Sequence, residues 1–398
     1  MKKILFYCQY LAGMGHLVRS TEILRSLKAD FEVCFVNGGQ DVPGFAHLEG
    51  VEIVSLPALW EDEAELKAVD PTLNLGEVMA LRTQTLLDTF DRFRPDCVVT
   101  ECFPFSKHKL KFELIPLLER AKDVNWPVKV VSSLRDLILT QPMSDRAPSK
   151  RQDKICKLID QYYDLVLYHS DAQLVQLSDC FPRAAELNCE VFYTGYVTQS
   201  SPEAWPLSAE DAEFFASDRP AIVVSVGGGR HGFPLLESVA RASQIVGDRL
   251  PHDFYTFAGP FMPEDQFQIL LSMSEKQPNL SVRRFTSHLI DSMHKAELSI
   301  NLGGYNTTMN VLKTRARSLL LPSPSEHQVG EQKLRSDKLE QLGILRTLSL
   351  EDLDPERMAA EIAGALERPQ PQHDLNLNGA EQAALRLKAL LNPATIPA

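Results

Sequence analysis

The chain has 398 residues, of which 44% are hydrophobic, and its formal net charge is −12 at pH 7. This length predicts two domains of roughly 200 residues each, and the acidic balance argues against a duplex nucleic-acid partner, which calls for a broad basic surface. We expect no membrane span, because no apolar run reaches roughly 18–20 residues, and no secretory signal, because the N-terminus lacks a long apolar region. The seven cysteines include no C-x-x-C pair, so we predict buried thiols in a reducing cytoplasm.

Apolar runs typical of strands alternate with segments of helical periodicity along the chain. The strand-like runs are 3–9, 31–37, 51–56, 97–100, 128–132, 165–169, 191–193, 221–226, 254–257, 280–285, 299–302 and 318–321. This alternation predicts an α/β protein with parallel sheets covered by helices on both faces. The polar stretch 198–220 interrupts the pattern and is the predicted linker. We therefore predict two doubly wound, Rossmann-like domains, 1–199 and 200–372, that face a central cleft, and a helical tail over 373–398.

The first strand leads into the loop LAGMGH, which places Gly13 and Gly15 before a helix. These glycines match the start of a dinucleotide-binding fingerprint, but its third glycine is replaced by Val18. The second strand ends at Asn37, where the fingerprint requires an acid, so the sequence argues against NAD or FAD. His16 opens the helix, where the helix dipole favours a neutral imidazole that can accept a proton. The alternative is that His16 only caps the helix or packs against it.

Glu101 directly follows the strand-like run 97–100, so its carboxylate is predicted at the same sheet edge as His16. A carboxylate there can hold one imidazole nitrogen and leave the other to deprotonate a hydroxyl. We therefore predict that His16 and Glu101 form a catalytic pair.

The segment 103–111, FPFSKHKLK, mixes aromatic with basic side chains. Such a mixture can touch anionic lipid when an acceptor is linked to lipid. The alternative is a solvated basic loop. The sequence thus leaves open a weak peripheral contact at the inner face of a membrane.

Three glycines, at positions 227–229, follow the strand-like run 221–226, and Arg230 comes next. Gly228 and Gly229 let the backbone approach a phosphate, and the guanidinium of Arg230 can add charge. The alternative is a flexible loop at the entry of the second domain.

A second glycine turn follows the run 299–302, in the sequence SINLGGYNTTMNVL. Gly303 and Gly304 permit a sharp turn, and Asn306 and Thr307 suit the first turn of a helix. Such a corner presents backbone amides and a partial positive charge, which favours phosphate. An ordinary strand-to-helix turn is the alternative.

Glu331 and Gln332 are predicted early on the helix that follows the prolines of PSPSEHQVGEQ. A carboxylate and an amide at this position can bind sugar hydroxyls. A Glu–Gln pair on a helix can equally lie on a face that is exposed to solvent.

Together these loops resemble the GT-B glycosyltransferases, and nearly the whole chain takes part in the likeness. The closest resemblance is to the group that holds the N-acetylglucosaminyltransferase of peptidoglycan lipid synthesis and the related bacterial predicted glycosyltransferases. The segments that carry it are FYCQYLAGMGHLVRS, SSLRDLIL, VSVGGGRHG, NLGGYNTT and GEQKLRSDKL. In this family the histidine of the first segment is the base, which is His16 here, and Glu101 takes the place of the acid that orients it.

The resemblance also implies roles for the predicted donor-binding half. The nucleotide base is expected beside Phe285, Thr286 and Ser287, the diphosphate on Gly303, Gly304, Tyr305, Asn306 and Thr307, and the sugar on Glu331 and Gln332. Arg135 and Asp136 lie in SSLRDLIL, which resembles a stretch on the acceptor side without a known role. Two positions depart from the family pattern: Asn310 replaces a glutamate that binds ribose, and Leu302 replaces a histidine of plant-type members.

The sequence thus predicts an inverting glycosyltransferase that uses a nucleotide-diphosphate sugar, with a UDP-sugar as the first choice, and that needs no metal ion and no cofactor. Inversion is favoured because the glycine corner lacks the spaced acid pair of the retaining enzymes that it resembles. Asp352 and Asp354 are predicted at the start of a surface helix rather than at a metal. Two alternatives remain: a nucleotide-sugar hydrolase or epimerase on the same fold, and a sugar-nucleotide-binding protein without catalysis. The acceptor is not predicted.

Overall fold

The structure is a computed structural model, and it describes residues 1–10, 15–40, 48–62, 65–138, 150–200, 206–247, 249–322 and 329–392. The chain divides into two compact units. The first unit is Met1–Thr198 with Leu375–Ala398, and the second is Gln199–Asp374. Within the described part of the chain, no helix is long and apolar enough to cross a membrane.

The first unit is built around a parallel sheet of seven strands. Its strands are β1 Lys2–Cys8, β2 Phe31–Asn37, β3 Val51–Ser55, β6 Cys97–Glu101, β7 Lys129–Arg135, β8 Leu165–His169 and β9 Glu190–Tyr193, and a separate antiparallel pair is β4 Leu59–Asp62 and β5 Glu65–Ala68. Its helices are α1 Gly15–Leu27, α2 Leu75–Phe93, α3 Lys111–Asp123, α4 Lys150–Tyr162 and α12 Gly379–Leu391. The strand order is β3-β2-β1-β6-β7-β8-β9, so the order reverses between β1 and β6.

Helix α12 returns to the first unit and packs against α1. Ala383 and Leu387 of α12 are buried in the same apolar cluster as Leu17 and Leu24 of α1. At its start, α12 also lies against the segment that follows β9, because a Cβ on Gly379 would lie 2.5 Å from the Gly195 carbonyl oxygen. The end of the chain therefore supports the back of the helix that begins beside His16.

The second unit has a parallel sheet of six strands. Its strands are β10 Ala221–Ser225, β11 Asp253–Phe257, β12 Leu280–Arg283, β13 Leu298–Leu302, β14 Arg317–Leu321 and β15 Arg346–Thr347. Its helices are α5 Ala209–Ala216, α6 Phe233–Val246, α7 Glu264–Ser274, α8 Leu289–Lys295, α9 Tyr305–Thr314, α10 Val329–Gln341 and α11 Pro355–Glu367. The strand order is β12-β11-β10-β13-β14-β15, which reverses between β10 and β13.

Each reversal creates a crevice beyond the carboxyl ends of two neighbouring strands, and ligands of open α/β sheets bind in such crevices. In the first sheet the crevice lies where β1 leads into α1 and β6 ends at Glu101. In the second it lies where the glycine loops after β10 and β13 begin. The fold therefore places the start of α1 and Glu101 at the switch point of the first sheet, and the glycine loops after β10 and β13 at that of the second.

Every strand-like run predicted from the sequence is a strand, with ends that differ by a few residues. The sequence missed the polar hairpin β4–β5 and the two-residue β15. The stretch 198–220, predicted as a linker, contains α5, whose N-cap Ser208 accepts the backbone N–H of Asp211. The linker prediction is therefore wrong for this part, because a capped helix occupies it. The Asp354 side chain accepts the backbone N–H of Arg357 and so caps α11, as predicted for a helix start.

Candidate active site

His16 and Glu101 meet at the switch point of the first sheet. Strand β1 delivers the chain to α1, whose second residue is His16, and Glu101 is the last residue of β6. The His16 Nδ1 atom lies 2.7 Å from Glu101 Oε1. The Glu101 side chain is fully buried, whereas that of His16 is 25% exposed. The buried carboxylate thus holds one imidazole nitrogen while the ring keeps access to solvent.

Arg19 is a third member of this group, and the sequence analysis missed it. It lies one turn after His16 on α1, and its Nη2 donates to the same Glu101 Oε1 atom. Its side chain is only 2% exposed. The available signal was the spacing of His16 and Arg19 at i and i+3, which places two side chains on one face of a helix.

The charges of this group favour a neutral imidazole beside an ionised carboxylate. Burial disfavours the carboxylate, but the cations beside it, His16 when protonated and Arg19 at every pH, hold the pKa of Glu101 well below its usual range. Burial lowers the pKa of His16 to about 4, against the effect of Glu101 and together with that of Lys107. Since the carboxylate can only accept, Nδ1 of His16 carries a proton and Nε2 keeps a free electron pair.

Within the described residues, His16, Glu101 and Cys102 are one group whose potential metal-ligand atoms lie within 4.8 Å of one another. The guanidinium of Arg19 already binds the Glu101 oxygen. Burial raises the pKa of the Cys102 thiol to about 12, so the thiolate that binds metals well is disfavoured. Both the positive charge and the protonated thiol oppose a metal ion at this position.

The other residues predicted for the acceptor side lie near the same sheet edge. Gly15 is the first residue of α1, whereas Gly13 lies outside the described residues. Arg135 ends β7, the neighbour of β6, and Asp136 follows it and is fully buried. Their roles stay predictions.

The aromatic side chains of the segment 103–111 belong to the core. Phe103 and Phe105 are buried, and the Phe105 ring packs edge-on against Phe181 with centroids 5.3 Å apart. They do not face a membrane. The exposed Lys109 pairs with Glu61 at 2.5 Å, and a lipid contact through the basic side chains stays a prediction.

The glycine corner of the second unit has the predicted form of strand, turn and helix. Gly303 follows β13, and a Cβ on it would lie 2.8 Å from Leu320 Cδ2 and 3.2 Å from Gln332 Oε1. Gly304 is the N-cap residue of α9 and uses no side-chain cap. A Cβ on Gly304 would have no atom of the described residues within 4 Å. A side chain at 303 would therefore crowd Leu320 and Gln332, whereas Gly304 borders open space at the helix start.

Residues of the first turn of α9 and of the early part of α10 converge at this corner. Asn306 and Thr307 are half-buried on the first turn of α9, and Tyr305 is buried. The Arg335 guanidinium of α10 lies 5.4 Å from the centre of the Tyr305 ring. The Gln332 side chain lies beside Gly303, and Glu331, its neighbour in the sequence, is likewise largely buried.

The loop after β10 packs against the loop after β11. Gly229 has φ +91° and a Cβ there would lie 2.3 Å from a backbone oxygen of the second loop, so glycine is required. The backbone N–H of Phe261 donates to the Gly228 carbonyl at 2.9 Å. The exposed Arg230 guanidinium lies 5.6 Å from the centre of the Phe261 ring. Phe261 was not singled out in the sequence, because nothing local distinguishes it from a core aromatic.

The loop after β12 holds the residues predicted beside the nucleotide base. Phe285 is 49% exposed, which leaves its ring face available for stacking. Thr286 donates from its hydroxyl to Asp211 at 3.0 Å and accepts the backbone N–H of His288. The Thr286 side chain therefore stabilises the loop, and Ser287 beside it is half-buried.

Asn310 occupies the position where the resemblance expects a ribose-binding acid. It is 2% exposed, and its Nδ2 atom donates to Gln199 Oε1 at 3.0 Å. The amide is thus engaged at the beginning of the second unit, and its contact with a ribose stays a prediction.

Comparisons with known proteins agree with this architecture. Residues 223–388 match the family model of the glycosyltransferase family 28 C-terminal domain. No curated protein matches the chain by sequence. Among solved structures, MurG of Acinetobacter baumannii is 13% identical with a TM-score of 0.59, over 99% of this chain and 100% of that one.

Two further structures extend the comparison. A UDP-glucosyltransferase from Polygonum tinctorium that glucosylates indoxyl is 13% identical with a TM-score of 0.61, over 98% of both chains. The spinosyn rhamnosyltransferase SpnG, in complex with thymidine diphosphate, is 16% identical with a TM-score of 0.58, over 99% of this chain and 96% of that one. At these identities the structural matches establish the fold, which is GT-B.

The family match and the fold together define the class of the protein: it is a glycosyltransferase with a GT-B fold. Within this class it resembles MurG. The resemblance, the fold class and the enzyme class predicted from the sequence are therefore confirmed, whereas the roles of individual residues stay predictions.

Proposed function

We propose that the protein transfers a sugar from a nucleotide-diphosphate sugar to an acceptor hydroxyl, with inversion at the anomeric carbon and without a metal ion or other cofactor. The observation that carries this proposal is the His16 imidazole, whose side chain is 25% exposed and whose Nδ1 atom lies 2.7 Å from the buried Glu101 carboxylate. A neutral imidazole in that setting is suited to take a proton from a hydroxyl. The location is proposed as cytoplasmic.

In the proposed reaction, His16 Nε2 takes the proton of the acceptor hydroxyl, and the acceptor oxygen attacks the anomeric carbon. The bond from that carbon to the diphosphate breaks, and its electron pair leaves with the diphosphate oxygen. Attack from the side opposite to the leaving group inverts the anomeric centre. Glu101 keeps Nδ1 protonated and the ring oriented throughout.

The donor is proposed to bind the second unit. Backbone amides at the start of α9 and the Arg230 guanidinium would stabilise the departing diphosphate without a metal ion. Phe285 would stack on the base, and Glu331 with Gln332 would bind sugar hydroxyls. The nucleotides in the names of two structures of the same fold, UDP and thymidine diphosphate, support a nucleoside diphosphate; a UDP-sugar is the first choice.

The test combines nucleotide binding with product analysis. Thermal shifts are measured with UDP, thymidine diphosphate, GDP and ADP, and the matching sugar donors are then offered to an acceptor panel with and without EDTA. Transfer that survives EDTA and inverts the anomeric centre by NMR supports the proposal. Donor consumption without acceptor would indicate a hydrolase, tight binding without turnover would indicate a binding protein, and transfer with retention would contradict the mechanism.

Replacing Gly304 with alanine is expected to weaken nucleoside diphosphate binding by about tenfold or more, which is about 1.4 kcal/mol. The added methyl group would stand in open space in the protein, but it would meet a phosphate seated on the start of α9. The melting temperature is expected to change little. Calorimetric titration with the nucleoside diphosphate that gives the largest thermal shift measures the effect.

Gly364→Ala on α11 is the matched control, because a Cβ there likewise has no atom of the described residues within 4 Å. It is expected to leave nucleotide affinity unchanged. If Gly304→Ala and the wild type bound the nucleotide equally well, the diphosphate would not bind at the start of α9.

A further inference from the structure

The Arg19 guanidinium and the His16 imidazole both contact one oxygen of the Glu101 carboxylate. Glu101 Oε1 accepts from Arg19 Nη2 and lies 2.7 Å from His16 Nδ1. Arg19 and Glu101 are both almost completely buried, at 2% and 1% exposure. A buried ion pair of this kind is expensive to desolvate, so its presence beside the proposed base calls for a physical explanation.

A histidine paired only with a buried carboxylate tends to become charged, because the opposite charge stabilises the imidazolium. An imidazolium cannot act as a base. Burial and the charge of Lys107 already oppose a proton on His16. Arg19 adds to them, because its permanent positive charge touches the Glu101 carboxylate, compensates it and repels a second proton on His16. Glu101 still accepts the Nδ1 proton and orients the ring.

Other titratable and charged groups lie around the cluster of His16, Glu101 and Arg19. They are Arg19 on α1, Cys8 on β1, Glu101 and Cys102 at the end of β6, Lys107 in the following loop, Arg135 at the end of β7 and His169 on β8. Burial raises the pKa of Cys8 and Cys102 and lowers that of His169 to about 3, so all three are neutral near pH 7. Glu101 is thus the anion of the set, and Arg19 is the cation in direct contact with it.

We propose that Arg19 is a positioning residue of the active site, which holds the Glu101 carboxylate in place for His16 and keeps the imidazole in the neutral form that a base requires. This inference rests on the proposed function, because it takes His16 to be the base of sugar transfer. Its electrostatic part concerns His16 itself and is measurable without any substrate.

The test follows the His16 imidazole by NMR in the full-length protein, with assignment from a His16→Gln sample. In Arg19→Gln, loss of the neighbouring positive charge is expected to raise the His16 pKa by about 1–3 pH units. In Arg19→Lys, which keeps the charge but not the planar fork, the pKa is expected to stay closer to that of the wild type. Arg25→Gln, on the same helix but with a 43% exposed side chain paired to Glu22, is the matched control.

Kinetics gives the second readout. The acid limb of kcat/KM for Arg19→Gln is expected to move to higher pH by the same amount as the NMR titration, with partial recovery of activity in alkaline buffer. A merely structural residue would lower activity equally at every pH. An unchanged His16 titration in folded Arg19→Gln would overturn the inference.

Two outcomes separate this inference from the proposed function. If no sugar transfer is found but the titration moves as expected, the electrostatic role stands and the proposed reaction fails. If Arg19→Gln does not fold, Arg19→Met, which also removes the charge, carries the same titration, and an unchanged His16 pKa there would overturn the inference. A wild-type His16 pKa at or above the ordinary 6.5 would contradict it directly.

Discussion

Replacing His16 with glutamine is expected to lower kcat for sugar transfer by about 10²–10⁴-fold, which is the usual contribution of a positioned general base. Glutamine can still hydrogen-bond near Glu101, but it cannot take up the proton of the acceptor hydroxyl. Donor affinity is expected to stay near that of the wild type, because the proposed nucleotide contacts lie in the second unit. Steady-state kinetics measures the loss, with His294→Gln, an exposed histidine of α8, as the matched control.

The pH dependence sharpens this prediction. A base acts in its deprotonated form, so activity falls as the pH drops through its pKa. Since the pKa of His16 is lowered to about 4, kcat/KM of the wild type is expected to be level from neutral pH down to about pH 5. Turnover of His16→Gln within a fewfold of the wild type would assign the base elsewhere.

Replacing Arg82 with leucine is expected to reduce the free energy of unfolding of the first unit by about 3–5 kcal/mol, the usual cost of leaving a buried charge without its partner. Arg82 is completely buried, and its Nε and Nη2 atoms donate to the two oxygens of Glu113 at 2.8 and 2.7 Å. It also donates to the carbonyls of Gly38 and Pro57 and to Gln9 Oε1. One guanidinium thus joins the loops that follow β1, β2 and β3.

Denaturant unfolding followed by tryptophan fluorescence measures this loss, with Trp205 of the second unit replaced by phenylalanine in every variant, because the other two tryptophans, Trp60 and Trp126, belong to the first unit. The matched control is Arg120→Leu, which removes an exposed two-point pair with Asp91 at 2.9 and 3.0 Å. It is expected to cost much less than Arg82→Leu, because solvent screens an exposed ion pair. If Arg82→Leu and Arg120→Leu lowered the free energy of unfolding equally, burial of the Arg82 ion pair would not be the reason for its contribution.

A double variant, Arg82→Leu with Glu113→Leu, tests the same explanation from the other side. It removes both charges, so neither is left buried and unpaired, and part of the lost stability is expected to return. A double variant less stable than Arg82→Leu alone would indicate that shape, rather than charge, governs this position.

Local patterns in the sequence predicted most of the fold. Apolar runs of strand length located the strands of both sheets, except β15, because buried parallel strands consist almost entirely of apolar residues. The hairpin β4–β5 was missed since its sequence, LWED and ELKA, is largely polar. Helix α5 was missed because it lies within a polar stretch that contains several prolines.

The pairing of His16 with Glu101 was predictable for a related reason. Glu101 ends β6 and His16 lies at the start of the helix that follows β1, and the carboxyl ends of parallel strands meet at one edge of a sheet. The structure adds that β1 and β6 are direct neighbours at the switch point. Contacts of side chains across the chain were not predictable in this way, and Arg19, Arg82 and the burial of Phe103 belong to this class.

By itself, the sequence determined the α/β class, the glycine turns and the position of the proposed base, because each depends on residues that are close along the chain. The tertiary structure alone decided that Arg19 shares the Glu101 carboxylate across 82 positions, that Asn310 donates to Gln199 across 111 positions, and that Arg82 is an interior residue. The physical reason is that burial and ion pairing depend on which strands become neighbours. That choice is made by the packing of the whole sheet rather than by any local pattern.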